Sequence, residues 1–245
     1  MSNVSPAGRA VAERVRNLTF DPFTASSTVA TSADVRDAVA EAMAEHRCDH
    51  YTRRPGIAPL CRAVAAALDA AGVAVDSDEE VVISGGPYET RYLVLRALAT
   101  GKTVCLPAAL VDAYRLPAQV AGATLIEWDP ATPFAGEAGI WIWHPAVGPL
   151  PEEIAPDAVV LADVLDASAP APSSLRGLAS LHDAGRLLIL GAFGTESGLA
   201  AWNVAWFAGG KRLTAEVGAL KQAMTICTPA PGQYAALAVL EGVTA

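Results

Sequence analysis

The chain has 245 residues, of which 52% are hydrophobic, and its formal net charge is −9 with a mean hydropathy of +0.32. The apolar content excludes an intrinsically disordered chain, and the length suits one large α/β domain or two small ones. An acidic balance without a basic run argues against nucleic acid and anionic membrane as partners.

The apolar runs are too short to span a bilayer, and the first residues lack the basic and apolar segments of a secretory signal. The cysteines are widely spaced and form no C-x-x-C pair: Cys48, Cys61, Cys105 and Cys227. This usage is typical of reduced thiols, with no spacing that supports a zinc site or a catalytic thiol. We therefore predict a cytoplasmic protein without a metal.

The first part of the chain is helical in pattern. Ser5-Pro6 is a typical helix start before the periodic stretch Val11–Leu18, and Ser32 is a candidate N-cap for the amphipathic run Val35–Ala44. Pro55-Gly56 precedes a strongly helical, alanine-rich segment, Leu60–Ala71. We predict a helical segment over about residues 1–75 and a sheet domain over about 76–245.

Short apolar runs then alternate with helical stretches. The predicted strands are Val81–Ser84, Thr103–Leu106, Thr124–Trp128, Ile140–Trp143, Val159–Ala162, Leu187–Leu190 and Asn203–Phe207. The predicted helices are Tyr88–Ala99, Asp112–Ala121, Ser173–His182, Leu213–Ala223 and Gln233–Leu240. This alternation indicates a three-layer αβα fold with a mostly parallel seven-stranded sheet, whose ligands bind at the carboxyl ends of the strands.

Seven segments carry a resemblance to a known family: His50–Leu60, Val82–Glu89, Thr103–Tyr114, Trp143–Pro145, Val160–Asp163, Ala192–Asn203 and Thr228–Ala235. In this order they resemble the large domain of fold-type I pyridoxal-phosphate (PLP) aminotransferases, class I/II. Ala192–Asn203 follows the family's S-F-S-K-x-x-G-L-x-G-x-R pattern without a gap. The resemblance implies the aminotransferase large-domain fold, without the family's small C-terminal domain.

The same resemblance implies that the cofactor contacts have been lost. Thr195 stands at the position of the lysine that forms the imine with PLP, and a hydroxyl cannot form one. Asn203 replaces the phosphate arginine, Ala192 its companion serine, and Pro87 removes an N–H from the glycine turn. Only Asp163, which in the family pairs with the pyridinium nitrogen, is retained. We expect no cofactor and no covalent PLP.

Several residues are candidates for a site in the vacated cleft. Asp163, Glu196 and His144 are the candidate catalytic groups, because neighbouring carboxylates favour acid–base chemistry or a cationic ligand. The candidate binding residues are Thr195, Asp166, Tyr88, Trp143, Trp202, Asn203 and Tyr51. The alternatives are structural: Asp163 caps a turn, His144 is a hydrogen-bonding group, and the tryptophans belong to the core.

Three functions remain open at this point. The favoured one is PLP-independent binding or acid–base transformation of a small neutral or cationic organic metabolite. The second is a non-catalytic protein that acts through dimer or partner contacts, and the third is a surviving PLP enzyme. We also expect a homodimer, because in the family the tyrosine equivalent to Tyr51 reaches into the neighbouring subunit's site. Whether acids line an open cavity, or Trp202 and Trp206 fill it, separates the first two functions.

Overall fold

The structure is a computed structural model that describes residues 5, 6, 9, 29–129, 138–147, 149–150, 154–165, 175–194 and 197–242. The predicted helix Val11–Leu18 lies outside these residues. So do Asp166, Thr195 and Glu196, three of the candidate site residues.

Seven strands form one mixed sheet: β1 (Val81–Ser84), β2 (Thr103–Pro107), β3 (Thr124–Trp128), β4 (Ile140–Trp143), β5 (Val159–Val164), β6 (Leu187–Ala192) and β7 (Ala205–Gly209). Their spatial order is β1-β7-β6-β5-β4-β2-β3. The neighbours from β3 to β6 pair in parallel, whereas β7 runs antiparallel to both β6 and β1. The predicted mostly parallel seven-stranded sheet is therefore confirmed, with β7 as the reversed strand.

Seven α-helices surround this sheet in the described part of the chain: α1 (Ala33–Ala44), α2 (Ala58–Ala70), α3 (Pro87–Leu98), α4 (Val111–Ala121), α5 (Ala179–Asp183), α6 (Lys211–Thr225) and α7 (Ala230–Leu240). The Ser32 hydroxyl accepts from the Val35 N–H at 3.3 Å, as its predicted N-cap role requires. Gly122, in the left-handed region at φ +72°, ends α4.

Two buried apolar clusters flank the sheet and define three layers. One cluster joins the sheet to α1, α2 and α7, and the other joins it to α3, α4 and α6. Side chains of β5 alternate between them: Val160 and Ala162 belong to the first cluster, and Val159 and Leu161 pack in the second. The predicted αβα layering is thus confirmed.

Two predicted elements differ from the structure. Of the described residues in the predicted helix Ser173–His182, Ala179 onward is α-helical, and a 3₁₀ turn at Arg176–Leu178 precedes it, since Gly177 is a poor helix former. The last strand begins at Ala205 rather than Asn203, because Asn203 adopts a left-handed conformation at φ +50°. In the described ranges no helix is both long and apolar enough to cross a membrane.

Candidate functional site

The carboxyl ends of β1, β5 and β6 lie at one edge of the sheet, since these three strands run in the same direction. Asp163 lies near the end of β5 and is completely buried, at 0% exposure. Its side chain points to the layer of α3 and α4, where Arg91 and Tyr114 contact it. A carboxylate in this position requires internal hydrogen bonds and an opposite charge.

Four hydrogen bonds satisfy the Asp163 carboxylate. Oδ2 accepts from Arg91 Nε at 3.0 Å and from the Tyr114 hydroxyl at 2.7 Å. Oδ1 accepts from the backbone N–H of Leu165 at 2.9 Å and from a terminal Arg91 nitrogen at 3.5 Å. The Leu165 bond is the turn cap that the structural alternative for Asp163 anticipated, and the Arg91 ion pair adds to it.

Arg91 and Tyr114 also contact each other. The Arg91 guanidinium carbon lies 5.3 Å from the centroid of the Tyr114 ring, a cation–π arrangement in which Arg91 is only 5% exposed. Burial, and secondarily the Asp163 charge, raise the pKa of Tyr114 well above its ordinary value. Tyr114 therefore stays protonated and donates to Asp163, while Arg91 supplies the positive charge.

This cation corrects one expectation from the sequence. The cleft was expected to hold acids after losing its positive charges, whereas Asp163 is paired with an arginine from α3. Arg91 falls at helical spacing with Val94, Leu95 and Leu98, all buried on the core-facing side of α3. An arginine on an apolar helix face is thus a signal of a buried ion pair that is visible in the sequence, although Arg91 was not among the predicted site residues.

The glycine turn that follows β1 holds a second internal charge. The N–H of Gly85 donates to the carboxylate of Glu89, in the first turn of α3. Gly86 is at φ +97°, and Pro87 has no N–H to donate. An anion bound at this helix N-terminus would meet the Glu89 carboxylate, so the turn is already capped by the chain itself.

Glu89 connects this turn to a buried lysine on α6. Thr225 Oγ1 contacts Glu89 Oε1 at 3.3 Å and accepts from the Lys221 ammonium at 3.2 Å. Burial lowers the pKa of Lys221, while the Glu89 and Cys227 charges oppose that shift. Lys221 therefore lies behind the glycine turn, on a different element from position 195.

Trp202 and Asn203 lie beside the same turn. The Trp202 indole N–H donates to the Thr31 hydroxyl at 2.9 Å, and that hydroxyl donates to the Gly198 carbonyl at 2.7 Å. Asn203 packs against Gly86, where a Cβ atom would come within 3.0 Å of its side-chain oxygen. A cavity of about 230 Å³ opens here, lined by Gly85, Trp202, Asn203, Val204, Thr228, Pro229 and Gly232.

The remaining described candidates are spread around the sheet edge. His144 follows β4 and its Nδ1 accepts from the Ala146 N–H at 3.0 Å, which matches the structural alternative for this residue. Trp143 is buried in the cluster of α1, α2 and α7, on the opposite face of the sheet from Asp163. Trp206 also lies on that face, packed against Gly191. Tyr51 and Tyr88 are 80% and 77% exposed.

The geometry brings Trp202 and Asn203 together but does not bring them to the Asp163 carboxylate, whose hydrogen-bond partners are Arg91, Tyr114 and Leu165. In the described part of the chain, no group of three or more His, Cys, Asp or Glu side chains could hold a metal ion. The catalytic and binding roles of the candidate residues remain predictions.

Comparison with solved structures decides the fold. The chain superposes with a TM-score of 0.71 on the Escherichia coli protein YbdL, a methionine aminotransferase, at 16% identity over 87% of this chain and 64% of that one. An aminotransferase from Mycobacterium tuberculosis gives 0.70 at 22% identity, over 87% and 65%. The chain has the aminotransferase fold.

A third neighbour is N-succinyldiaminopimelate aminotransferase from Mycobacterium tuberculosis, with a TM-score of 0.67 and 21% identity. The superposition covers 94% of this chain and 68% of that one. This chain therefore spans about two thirds of the length of these aminotransferases. No protein-family model matches the sequence. No curated protein matches it either.

PLP, the cofactor that the family resemblance implies, does not fit the described residues. The carboxylate expected to face the pyridinium nitrogen is already paired with Arg91. The Gly85 N–H at the glycine turn is taken by a carboxylate, and Pro87 offers none. Both charged ends of the cofactor would thus have to displace groups of the chain itself.

The buried pair can be tested by a double-mutant cycle of Asp163→Asn and Arg91→Met. Each single substitution leaves a buried charge or polar group without its partner and should lower the free energy of unfolding by about 3–5 kcal/mol. The double variant should lose clearly less than the sum of the two. Urea unfolding followed by circular dichroism measures all four proteins.

The control for this cycle is Arg115→Met, because Arg115 forms an ion pair with Asp112 on the exposed surface of α4. Its loss should change stability by less than about 1 kcal/mol. Additive single effects at Asp163 and Arg91 would contradict the buried pair.

The raised pKa of Tyr114 predicts a specific loss of stability in alkali. A folded-state pKa above the unfolded value of about 10 contributes stability that is complete below that pH and is lost progressively as the pH rises above it. Above about pH 10, the free energy of unfolding of the wild-type protein should fall with pH more steeply than that of Tyr114→Phe. The difference between the two slopes should be up to about 1.4 kcal/mol per pH unit. Tyr234→Phe, on a half-buried side chain of α7 on the opposite face of the sheet, should leave the wild-type slope unchanged. Equal slopes for all three proteins would refute the assignment.

Proposed function

We propose that this chain is an aminotransferase-fold protein that works without PLP and does not catalyse transamination. The observation that carries the proposal is the ion pair of Asp163 and Arg91, 3.0 Å apart and buried in the cleft. In this arrangement the guanidinium of Arg91 faces Asp163 in place of the pyridinium nitrogen. The cationic partner that Asp163 was expected to find in a ligand is thus supplied by Arg91 of the chain itself.

The glycine turn supports the same proposal at the other end of the cleft. Each charge-assisted hydrogen bond to a phosphate contributes about 1.5–3 kcal/mol. The resemblance implies that the arginine and serine donors are replaced by Asn203 and Ala192, while the Gly85 N–H is engaged by Glu89. Losing three such bonds removes roughly 5–9 kcal/mol, which turns micromolar binding into no useful binding.

The geometry favours a structural role for Asp163 over acid–base catalysis, because its carboxylate is buried and fully hydrogen-bonded. The prediction from the sequence is acid–base chemistry by Asp163, His144 and Glu196. We therefore place this protein closest to the non-catalytic alternative, with ligand or partner binding as its function. The four cysteines are free thiols, which fits a reducing compartment such as the cytoplasm.

We further propose a homodimer around the glycine turn. The contact between Thr225 and Glu89 brings the end of α6 close to the start of α3. Tyr88, Met224 and Ile226 are exposed large apolar side chains next to this contact. Exposed aromatic and methionine side chains are enriched in protein–protein interfaces.

The absence of bound PLP is tested by incubating the purified protein with PLP and removing the excess by gel filtration. We expect a colourless protein without cofactor absorbance, and no covalent adduct after borohydride treatment. A PLP-loaded aminotransferase treated in parallel is the positive control. Stoichiometric cofactor, or an adduct on Lys102, Lys211 or Lys221, would overturn the proposal.

The dimer is tested by light scattering at micromolar concentration. The wild-type protein should have twice the mass of the chain, and Tyr88→Asp should shift it toward the monomer by burying a charge at the interface. Leu116→Asp places the same charge on an exposed position of α4 and should leave the mass unchanged. A monomeric wild-type protein would refute the dimer.

A further inference from the structure

The cavity beside the glycine turn lies at the phosphate end of the cleft that the family resemblance implies, and Asp163 is not among its lining residues. Three segments surround it: the residue after β1, the residues before β7, and the start of α7. Gly232 allows the start of α7 to pack closely against Val204, because a Cβ atom there would come within 2.8 Å of the Val204 side chain. Its volume of about 230 Å³ is below the usual range for drug-sized ligands and suits a small one.

The polar group that this cavity offers to a ligand is a neutral carboxamide, that of Asn203. None of its seven lining residues, all within the described ranges, has an ionisable side chain. Thr228 is buried and its hydroxyl donates to the Ile83 carbonyl at 2.9 Å, so that donor is already used. Asn203 is exposed, and no described residue makes a hydrogen bond to its carboxamide. Its N–H₂ donor and its carbonyl acceptor are both available to a ligand.

The walls around this amide are apolar and include an aromatic residue. Trp202 is fixed by its bond to Thr31, and Val204 and Pro229 form the other walls. The nearest described charge at the turn, Glu89, already binds the Gly85 N–H and contacts Thr225. That carboxylate opposes an anionic ligand, and its existing partners reduce its attraction for a cationic one.

We propose that this cavity binds a small neutral molecule with a flat body and an amide-type edge. Such an edge carries a donor and an acceptor side by side, and it pairs with both groups of the Asn203 carboxamide. The flat body packs against Trp202 and Pro229. The proposal rests on the proposed PLP-free state, because it assigns another ligand to residues at the phosphate end of the cofactor cleft. A ligand of this size should bind in about the millimolar to high-micromolar range.

Three probes of nearly equal shape test this ligand class: benzamide is neutral, benzoate is anionic and benzamidine is cationic. Nuclear magnetic resonance titration of the ¹⁵N-labelled full chain measures each affinity and locates each site through the backbone signals of Asn203, Val204 and Gly232. We expect benzamide to bind at least about tenfold more tightly than either charged probe, and to shift these signals.

Asn203→Asp provides the decisive variant, because Asp tolerates the left-handed backbone at this position and keeps the side-chain size. It should invert the preference, weakening benzamide and making benzamidine the tightest probe. Gln119→Glu is the matched control, since it makes the same amide-to-carboxylate change on an exposed position of α4. It should leave the order of the three probes unchanged.

Several results would overturn the proposal: no benzamide binding, equal binding of the three probes, shifts confined to other residues, or an unchanged order in Asn203→Asp. These outcomes are distinguishable from failure of the PLP-free state, which is measured separately by cofactor absorbance. A colourless protein that ignores benzamide refutes only the ligand proposal. A protein that binds PLP refutes the premise.

Discussion

A carboxylate buried at the end of a central strand constrains the rest of this structure. Removing an ionised carboxylate from water costs several kcal/mol, and only a close opposite charge with well-directed hydrogen bonds offsets that cost. Asp163 obtains these partners from two helices, Arg91 of α3 and Tyr114 of α4. The position of both helices over β5 is therefore tied to the neutralisation of one side chain. The layer of α3 and α4 therefore covers the sheet with apolar side chains and also supplies the groups that neutralise Asp163.

Helix α3 carries the two charged groups that bond to the Gly85 N–H and to Asp163, and the helical geometry explains how it does so. Glu89 and Arg91 are separated by two residues and therefore project about 200° apart around the helix axis. Glu89 turns back to the Gly85 N–H at the helix start, and Arg91 points into the core. An acid is stabilised near the helix N-terminus by the macrodipole, whereas the arginine is stabilised by Asp163. One helix turn thus supplies both a negative and a positive group.

The sequence predicts the scaffold better than the site, for a physical reason. Continuous apolar runs such as Leu187–Leu190 are buried on both faces, so their strand identity depends on composition that can be read locally. The glycine turn and the helix after it are likewise marked by Gly86 and Pro87. The partner of Asp163 depends on tertiary packing, because Arg91 lies 72 residues earlier in the chain. Helical spacing places Arg91 on the buried face, but it does not identify the carboxylate that it meets.

Asn203 shows the same division between local and tertiary information. Its residue type was predicted to mark a lost phosphate contact, and it was predicted to begin the last strand, which starts two residues later at Ala205. The left-handed backbone at φ +50° shortens that strand and turns the carboxamide toward the glycine turn. A strand pattern cannot show this, since asparagine in an apolar run is read as one polar residue in a strand. The structure assigns it instead to the wall of a cavity.

The ion pair of Asp163 and Arg91 also affects how far the stability of the fold depends on a bound cofactor. A protein whose cofactor neutralises a buried charge is stabilised by that cofactor through mass action, and its apo form is weakened. Here Arg91 neutralises Asp163 within the chain, so the folded state does not need a ligand to offset the buried carboxylate. An amine at position 195 would leave Asp163 paired with Arg91, and Glu89 bonded to the Gly85 N–H. Under the proposed PLP-free state, cofactor binding would therefore need changes on α3 as well as at position 195, because Asp163 and the Gly85 N–H each have a partner on that helix.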